Sequence, residues 1–184
     1  MSRIGKLPIT IPAGVTVNVD SANVVTVTSS KGTLTQKVSK LINVNVENNQ
    51  VVLTRVDDSK ESNAMHGLYR TLVNNMVQGV TEGFKKSLVV NGVGYKVSKQ
   101  GNKIVMNIGY SHPVEVVEED GVKLNVPSVT EIVVEGINKE AVGAMAAKIR
   151  AIKPVEPYHG YGIHYADEKV ILKEGKTSGK GGKK

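Results

Sequence analysis

Ser62-Asn63-Ala64-Met65-His66-Gly67-Leu68-Tyr69-Arg70-Thr71-Leu72-Val73-Asn74-Asn75-Met76-Val77-Gln78-Gly79-Val80 is the stretch where the periodicity of the chain changes. Before it, apolar residues alternate with polar ones. Within it, Ala64, Met65, Leu68, Tyr69, Leu72, Val73, Met76 and Val80 recur three and four positions apart. That spacing places them on one stripe of a helix, and the stripe needs an apolar surface to cover it. Asp58 with Glu61 three residues later resembles a capping-box start, and Gly79 and Gly83 are candidate stops.

The surface that covers the stripe is legible upstream. Ile9 and Ile11, then Val15, Val17 and Val19, alternate as half-buried strands do, and Val24 to Val27 resume the pattern after Asp20-Ser21-Ala22-Asn23. A four-residue polar interruption between alternating runs predicts a hairpin. Ser29-Ser30-Lys31-Gly32 is the next turn. Alternation at Ile42, Val44 and Val46, a turn at Asn48-Asn49 and a run at Val51 to Leu53 complete a sheet for one helix to cover.

Downstream the same order recurs. Val93, Tyr95 and Val97 alternate, Gln100-Gly101-Asn102 turns, Ile104, Met106 and Ile108 alternate, and Gly109-Tyr110-Ser111-His112-Pro113 turns again. Strands are predicted near Val114, Val122 and Ile132. A second helix opens at Asn138-Lys139-Glu140, carries the stripe Val142, Met145, Ile149 and Ile152, and stops at Pro154. A shift of about 80 residues lays Val17 on Val97 and Val24 on Ile104, a period that marks a repeated supersecondary unit. The expected fold class is α+β: two tandem homologous domains, each a mainly antiparallel sheet packed against one helix. The expected boundaries are 1–82 for the N-terminal domain, 83–172 for the C-terminal domain and 173–184 for a basic flexible tail.

The second unit alone has an extension. Pro154-Val155-Glu156-Pro157-Tyr158-His159-Gly160-Tyr161-Gly162-Ile163-His164-Tyr165 holds two of the four histidines and three of the six tyrosines. Two prolines forbid helix there, and the stretch reads as an exposed loop, followed by a predicted strand at Val170 to Leu172.

Composition bounds the chemistry. A chain of 184 residues with 40% apolar content can bury a core, and its net charge of +7 points to a polyanionic partner. Residues 1–82 carry eight Lys and Arg against six Asp and Glu, whereas residues 83–184 carry sixteen against eleven. The basic excess therefore lies in the second half. With no cysteine, disulfides and thiolate metal sites are excluded, which suits a reducing compartment. The N-terminus lacks an apolar signal core and no run reaches membrane-spanning length, so a cytoplasmic location without membrane contact is expected.

Catalytic patterns fail one by one. Gly92-Val93-Gly94 offers a G-x-G, but Val97 occupies the third glycine position and a strand follows, where a dinucleotide fingerprint needs a helix N-terminus. Gly175-Lys176-Thr177 ends like a phosphate-binding loop, yet its first glycine would fall on Val170. His159 and His164, with Asp167, lack metal-ligand spacing, and Ser111-His112 are adjacent, not opposed. Glu115, Glu118, Glu119 and Asp120 read as a solvated hairpin face. Basic blocks at Lys85-Lys86, Lys96, Lys99, Lys103, Lys148, Arg150 and Lys153 could gather at one end of the second unit, beside five of the six tyrosines. Cations for phosphates next to rings for bases are what RNA contact requires.

Six blocks then carry a family resemblance. They are Ser2-Arg3-Ile4-Gly5-Lys6-Leu7-Pro8-Ile9; His66 to Val77 with Gly79 to Phe84; Gly92 to Tyr95; Gly109 to Pro113; Ala146 to Arg150; and Glu156 to Tyr165. In this order, over nearly the whole chain, they resemble protein six of the large ribosomal subunit in its bacterial form. The resemblance implies two homologous α+β domains and binding of large-subunit rRNA, near the sarcin-ricin loop and the base of the factor-binding stalk. It further implies neighbouring ribosomal proteins as partners, no homo-oligomer, no catalysis, no metal and no cofactor.

The RNA-contacting residues it implies are Lys85, Lys86, Tyr110, Ser111, His112, Arg150, Lys153, Tyr158, His159, Gly160, Tyr161, Gly162, His164, Lys173, Lys176 and Lys180, with Arg3 and Lys6 secondary. One departure stands out. Where the family typically reads Pro-Glu-Pro-Tyr-Lys-Gly-Lys-Gly-Ile-Arg-Tyr, this chain has Val155 for proline, His159 and Tyr161 for lysines and His164 for arginine. Up to three formal charges are missing, so contact by this loop is expected to rest on shape, stacking and backbone more than on charge. The lysine tail is the expected compensation. Two rival readings are a metal-assisted hydrolase using His159, His164 and Asp167, and a protein-binding scaffold that uses its sheet edges.

Overall fold

The structure is a computed structural model and describes residues 3–176. These residues form two compact units, one of residues up to Lys85 together with Glu135–Val142, the other of Lys86–Val134 together with residues from Gly143 onward.

In the first unit, β1 (Ile9–Thr10), β6 (Gln50–Arg55) and β5 (Ile42–Glu47) make one sheet in the order β1-β6-β5. A second sheet runs β2 (Thr16–Val19), β3 (Val24–Ser29), β4 (Gly32–Lys37). The hairpins fall where polar interruptions predict them. Val17 pairs with Val27 across the Asp20 to Asn23 connection, and Glu47 with Gln50 around Asn48 and Asn49. Both asparagines have positive φ, 49° and 61°, which a two-residue type I′ turn demands. Strand β4 is absent from the sequence reading. Gly32-Thr33-Leu34-Thr35-Gln36-Lys37 has a single strong apolar residue, so it alternates only faintly, and its place is set by pairing to β3 from Ser29↔Gly32 to Val24↔Lys37.

The helix α1 (Lys60–Thr81) lies across β3, β4 and β6. Its N-cap is Ser59, not Asp58: the Ser59 hydroxyl accepts from the Ser62 backbone N–H at 3.1 Å. Asp57 buttresses this cap through bonds from Ser59 and from the Ser62 hydroxyl, the latter leading the causes that hold its carboxyl below the usual range. The buried stripe is rotated from the expected one. Ser62, His66, Val73, Met76, Val77 and Val80 are buried, whereas Ala64 and Leu68 face outward. His66 belongs to the core because its Nε2 donates to the Leu53 carbonyl at 2.9 Å, a link from helix to sheet. Gly79 does not stop the helix. A Cβ there would lie 2.0 Å from the Ile137 carbonyl oxygen, so glycine lets two backbones meet.

The second repeat, whose elements run from Phe84 onward and share Glu135–Val142 with the first compact unit, follows this order with one strand added. Strands β8 (Lys96–Gln100), β9 (Lys103–Asn107) and β10 (Val114–Val117) form one sheet. The other has the order β11 (Val122–Ser128), β12 (Glu131–Gly136), β7 (Phe84–Asn91), β13 (Gly162–Tyr165). Strand β7 is a second element that the sequence reading lacks, since Lys85-Lys86-Ser87 breaks its alternation. Val93 and Tyr95 lie in the loop before β8, not in a strand, and Val93 is 84% exposed.

The helix α2 (Lys139–Ile152) is capped by Asn138, whose Oδ1 accepts from Glu140 N at 2.9 Å, and buries Val142, Met145 and Ile149 as predicted. No strand forms at Val170 to Leu172. The strand is β13, inside the stretch expected to be wholly surface: Ile163 pairs with Val90 and is completely buried. Burying an isoleucine from water is worth roughly 1.5–3 kcal/mol, so this residue anchors the extension.

Candidate nucleic-acid interface

The extension leaves α2 at Ile152 and returns as β13, and its shape depends on one glycine. Gly162 has φ +142°, and a Cβ on it would sit 2.6 Å from the Pro154 carbonyl oxygen. Only glycine lets the chain double back this tightly. Backbone bonds then close the loop: Glu156 N–H donates to Tyr161 O at 2.8 Å, Gly160 N–H to Glu156 O at 3.1 Å and Ile163 N–H to Lys153 O at 2.8 Å. Asn91 at the end of β7 donates its side-chain amide to Gly160 O at 3.0 Å, and Lys173 N–H bonds Pro157 O at 2.7 Å. Gly160 and Gly162 are consequently buried, while Tyr158, His159 and Tyr161 stand outside.

On this rigid loop the His159 and Tyr161 rings stack, with centroids 5.5 Å apart and planes 17° apart. Glu156 fixes the histidine, accepting from His159 N–H at 3.0 Å and meeting its Nδ1 at 3.2 Å; that backbone bond is the first cause holding the Glu156 carboxyl below its usual range. In the β9–β10 loop, Tyr110 and His112 make a second stacked pair, 6.5 Å apart and 24° between planes. Tyr110 donates its hydroxyl to Ile152 O at 2.7 Å, and Lys153 places its Nζ 4.7 Å from the Tyr110 ring centroid. Tyr110, Ser111 and His112 are all exposed. The structure therefore brings Tyr110 and Lys153 together, with His112 beside them.

Other candidates are engaged within the fold. Arg150 holds Glu168 by two bonds, Nε to Oε2 at 2.9 Å and a terminal nitrogen to Oε1 at 2.5 Å. Lys86 meets both Asp167 oxygens, at 3.1 and 2.8 Å. Both cations flank the Tyr165 ring, at 5.0 Å for Lys86 and 5.5 Å for Arg150. The bonds from Arg150 and Lys86 lead the causes that lower the Glu168 and Asp167 carboxyls, and the bond to Glu168 raises Arg150. Two cations and two carboxylates cancel here. Lys85 pairs with Glu135 at 3.2 Å. His164 is half-buried, with a buried Nδ1 that has no hydrogen-bond partner among the described residues. Lys173 and Lys176 are exposed, and Lys180 lies outside the described residues.

Several of the basic blocks that could gather at one end are engaged by carboxylates. Lys99 pairs with Glu118, Lys103 with Glu115 and Lys148 with Glu119, so the acidic cluster neutralises lysines of β8, β9 and α2. Asp167, by sequence only a metal-ligand candidate, instead fastens Lys86, and Asn91, which no sequence motif singles out, holds the loop. Neither role has a local signal, because the partners lie 81 and 69 positions away. Among the described residues no group of three or more His, Asp or Glu is placed to hold a metal ion, and no helix is long and apolar enough to cross a membrane.

A twice-repeated α+β unit, whose second copy alone carries a braced loop of exposed rings, defines a protein of duplicated architecture. The family follows from comparison with known proteins: the model of the family described as Ribosomal protein L6 matches residues 11–83 and 91–166, one match per repeat, and the chain belongs to this family. The large ribosomal subunit protein uL6 of Clostridium perfringens is 58% identical over 177 residues, covering 96% of this chain and 99% of that protein. The uL6 proteins of Desulfitobacterium hafniense and Ruminiclostridium cellulolyticum are 56% and 53% identical, each match covering the whole of both chains. The family is structural and not enzymatic.

Proposed function

We propose that this chain is a structural constituent of the large ribosomal subunit in the cytoplasm, where it binds large-subunit rRNA and stabilises its tertiary structure. The observation that carries this reading is the loop from Pro154 to Tyr165, braced by backbone and side-chain bonds and presenting exposed rings, together with Lys153 set over the exposed Tyr110 ring. A rigid surface of this kind suits irregular RNA, since its ordering was completed in folding and does not weaken binding. The proposed division is an N-terminal domain at 1–82, an RNA-binding domain at 83–172 and a basic tail at 173–184. RNA contact falls on Tyr110 to His112, Lys153, Tyr158 to Tyr161 and the tail lysines. Lys86 and Arg150 act chiefly by holding β13 and the turn after it, through Asp167 and Glu168. The site proposed on the subunit lies near the sarcin-ricin loop and the base of the factor-binding stalk, next to other ribosomal proteins, with one copy of the chain and no self-association.

Sedimentation tests this directly: the chain should travel with large subunits and be released by nuclease and by raised salt. Co-migration with protein after complete nuclease digestion would sink the RNA reading in favour of a protein scaffold. A chain ending at Leu172 should bind protein-free large-subunit rRNA more weakly, its salt dependence flatter by a little under one slope unit for each phosphate contact removed. Unchanged affinity and slope would remove the tail from the interface.

A further inference from the structure

Resting on the RNA-binding reading, we infer that the two exposed ring pairs, Tyr110 with His112 and His159 with Tyr161, are stacking platforms for unpaired nucleobases. On this inference the chain recognises nucleotides splayed out of a helix, and duplex backbone contributes less at these two points.

Both pairs are built alike. Each is a ring-x-ring triplet in a tight loop of the second unit, and each holds its rings nearly parallel, 24° and 17° between planes. A parallel pair presents a flat, polarisable face of the kind a base covers, and any base has such a face. Tyr110 is 46% exposed and Tyr161 38%, an arrangement that leaves apolar area in water until something covers it.

Neither pair is loosely held. The Tyr110 hydroxyl is tied to Ile152 O, and the His159 ring rests on Glu156 while Glu156 N–H closes the loop onto Tyr161 O. The adjacent residues Ile152 and Lys153 tie down the Tyr110 hydroxyl and, through Lys153 O, the N–H of Ile163, which follows the second pair in β13.

Charge argues for bases over phosphate at the second pair. The Glu156 carboxylate lies 3.2 Å from His159 Nδ1, and an anion there repels a phosphate but not a neutral base. At the first pair, Lys153 above Tyr110 can meet the phosphate of a nucleotide whose base lies on His112. A continuous duplex hides its base faces inside its own stack, so only unpaired nucleotides can use such surfaces.

The full chain bound to protein-free large-subunit rRNA and irradiated with ultraviolet light should crosslink through these four rings to bases at unpaired positions. Replacing His112→Leu together with Tyr161→Leu should lower affinity about tenfold or more while leaving the slope of log affinity against log salt unchanged, since no phosphate contact is lost. His112→Phe with Tyr161→Phe should restore binding. All four positions are on the surface, and an unaltered melting midpoint confirms that the variants fold. Leucine variants that bind like the unmodified chain, or that lose about one slope unit per position, overturn the inference. So do crosslinks found only to a protein in intact subunits. If the unmodified chain itself fails to bind the RNA, the RNA-binding reading falls, and that outcome is read from the unmodified chain alone.

Discussion

In the first unit β1 is two residues long and sits at the free edge of β1-β6-β5, whereas in the second its counterpart β7 is eight residues long and has a strand on either side. The rest corresponds: β2-β3-β4 with β8-β9-β10, β5-β6 with β11-β12, α1 with α2. The copies differ in the segment after the helix. After α1 the chain passes directly into β7. After α2 it makes a braced loop and returns as β13, adding a strand to the edge that the first unit leaves at β1. One repeat thus remains a scaffold, and the other converts a sheet edge into a platform for exposed rings. Duplication supplies a stable frame twice, and a twelve-residue extension on one copy supplies a braced loop that carries exposed rings.

The comparison can be broken most severely at Gly79. Its α1 backbone meets the Ile137 carbonyl, and a Cβ would have only 2.0 Å there. Gly79→Ala should destabilise by about 3 kcal/mol, the upper part of the range for overpacking against atoms that cannot move away. Chemical denaturation measures this, and a shift below about 1 kcal/mol would mean the helix can slide.

Next comes the element that only the second unit has. Gly162→Ala combines a disallowed φ with a Cβ 2.6 Å from Pro154 O, so a loss of about 2 kcal/mol is expected. Hydrogen exchange should then locate the loosening at Ile163 and Tyr165, with β2-β3-β4 still protected. Uniform loosening would show that the extension is not an added part.

The cation–carboxylate network below the platform sets a smaller effect with a definite pH sign. Glu168 has its carboxyl lowered by Arg150, so its contribution is fully present above the unfolded carboxyl pKa and is lost as pH falls through the lower folded value. Glu168→Gln should cost about 1 kcal/mol at neutral pH, given partial solvent exposure, and should remove this part of the acid destabilisation. Melting curves between pH 7 and roughly pH 3 read both, and an unchanged pH slope would show that folding does not alter the titration of Glu168.

The smallest effect has the opposite sign. A Cβ added at Gly143 in α2 would meet no neighbouring atom within 4 Å, unlike one at Gly79 in α1. Gly143→Ala should therefore stabilise by roughly 0.8 kcal/mol through helix propensity alone. A destabilisation would mean that α2 is as closely approached as α1.

Much of the frame was legible beforehand because it rests on local periodicity. The hairpin at Asn48-Asn49, the turn at Gln100 to Asn102 and the stripe Val142, Met145, Ile149 each depend on residues within a few positions of one another. The misses share a cause. Strands β4 and β7 carry threonines, glutamine and lysines in place of a clean alternation, and they exist because a neighbouring strand offers a ladder. Ser59 displaced Asp58 as the cap because Asp57 is used to orient Ser59 and Ser62. For the site, sequence identified the loop and its unusual His and Tyr content but not what the loop's residues do to one another.

By itself the sequence determined the α+β class, the repeat of about 80 residues, the helix ends at Asn138 and Pro154 and the concentration of rings and cations after residue 83, since all of these are properties of short windows or of self-similarity. Only the tertiary structure decided which cations are set against carboxylates. Lys86 and Arg150 look like Lys153 in sequence, but folding sets Asp167 and Glu168, as well as the Tyr165 ring, against the first two, and the Tyr110 ring against the third. Opposite charges a few ångströms apart cancel whatever their separation along the chain, and that separation is invisible until strands and helix bring them together.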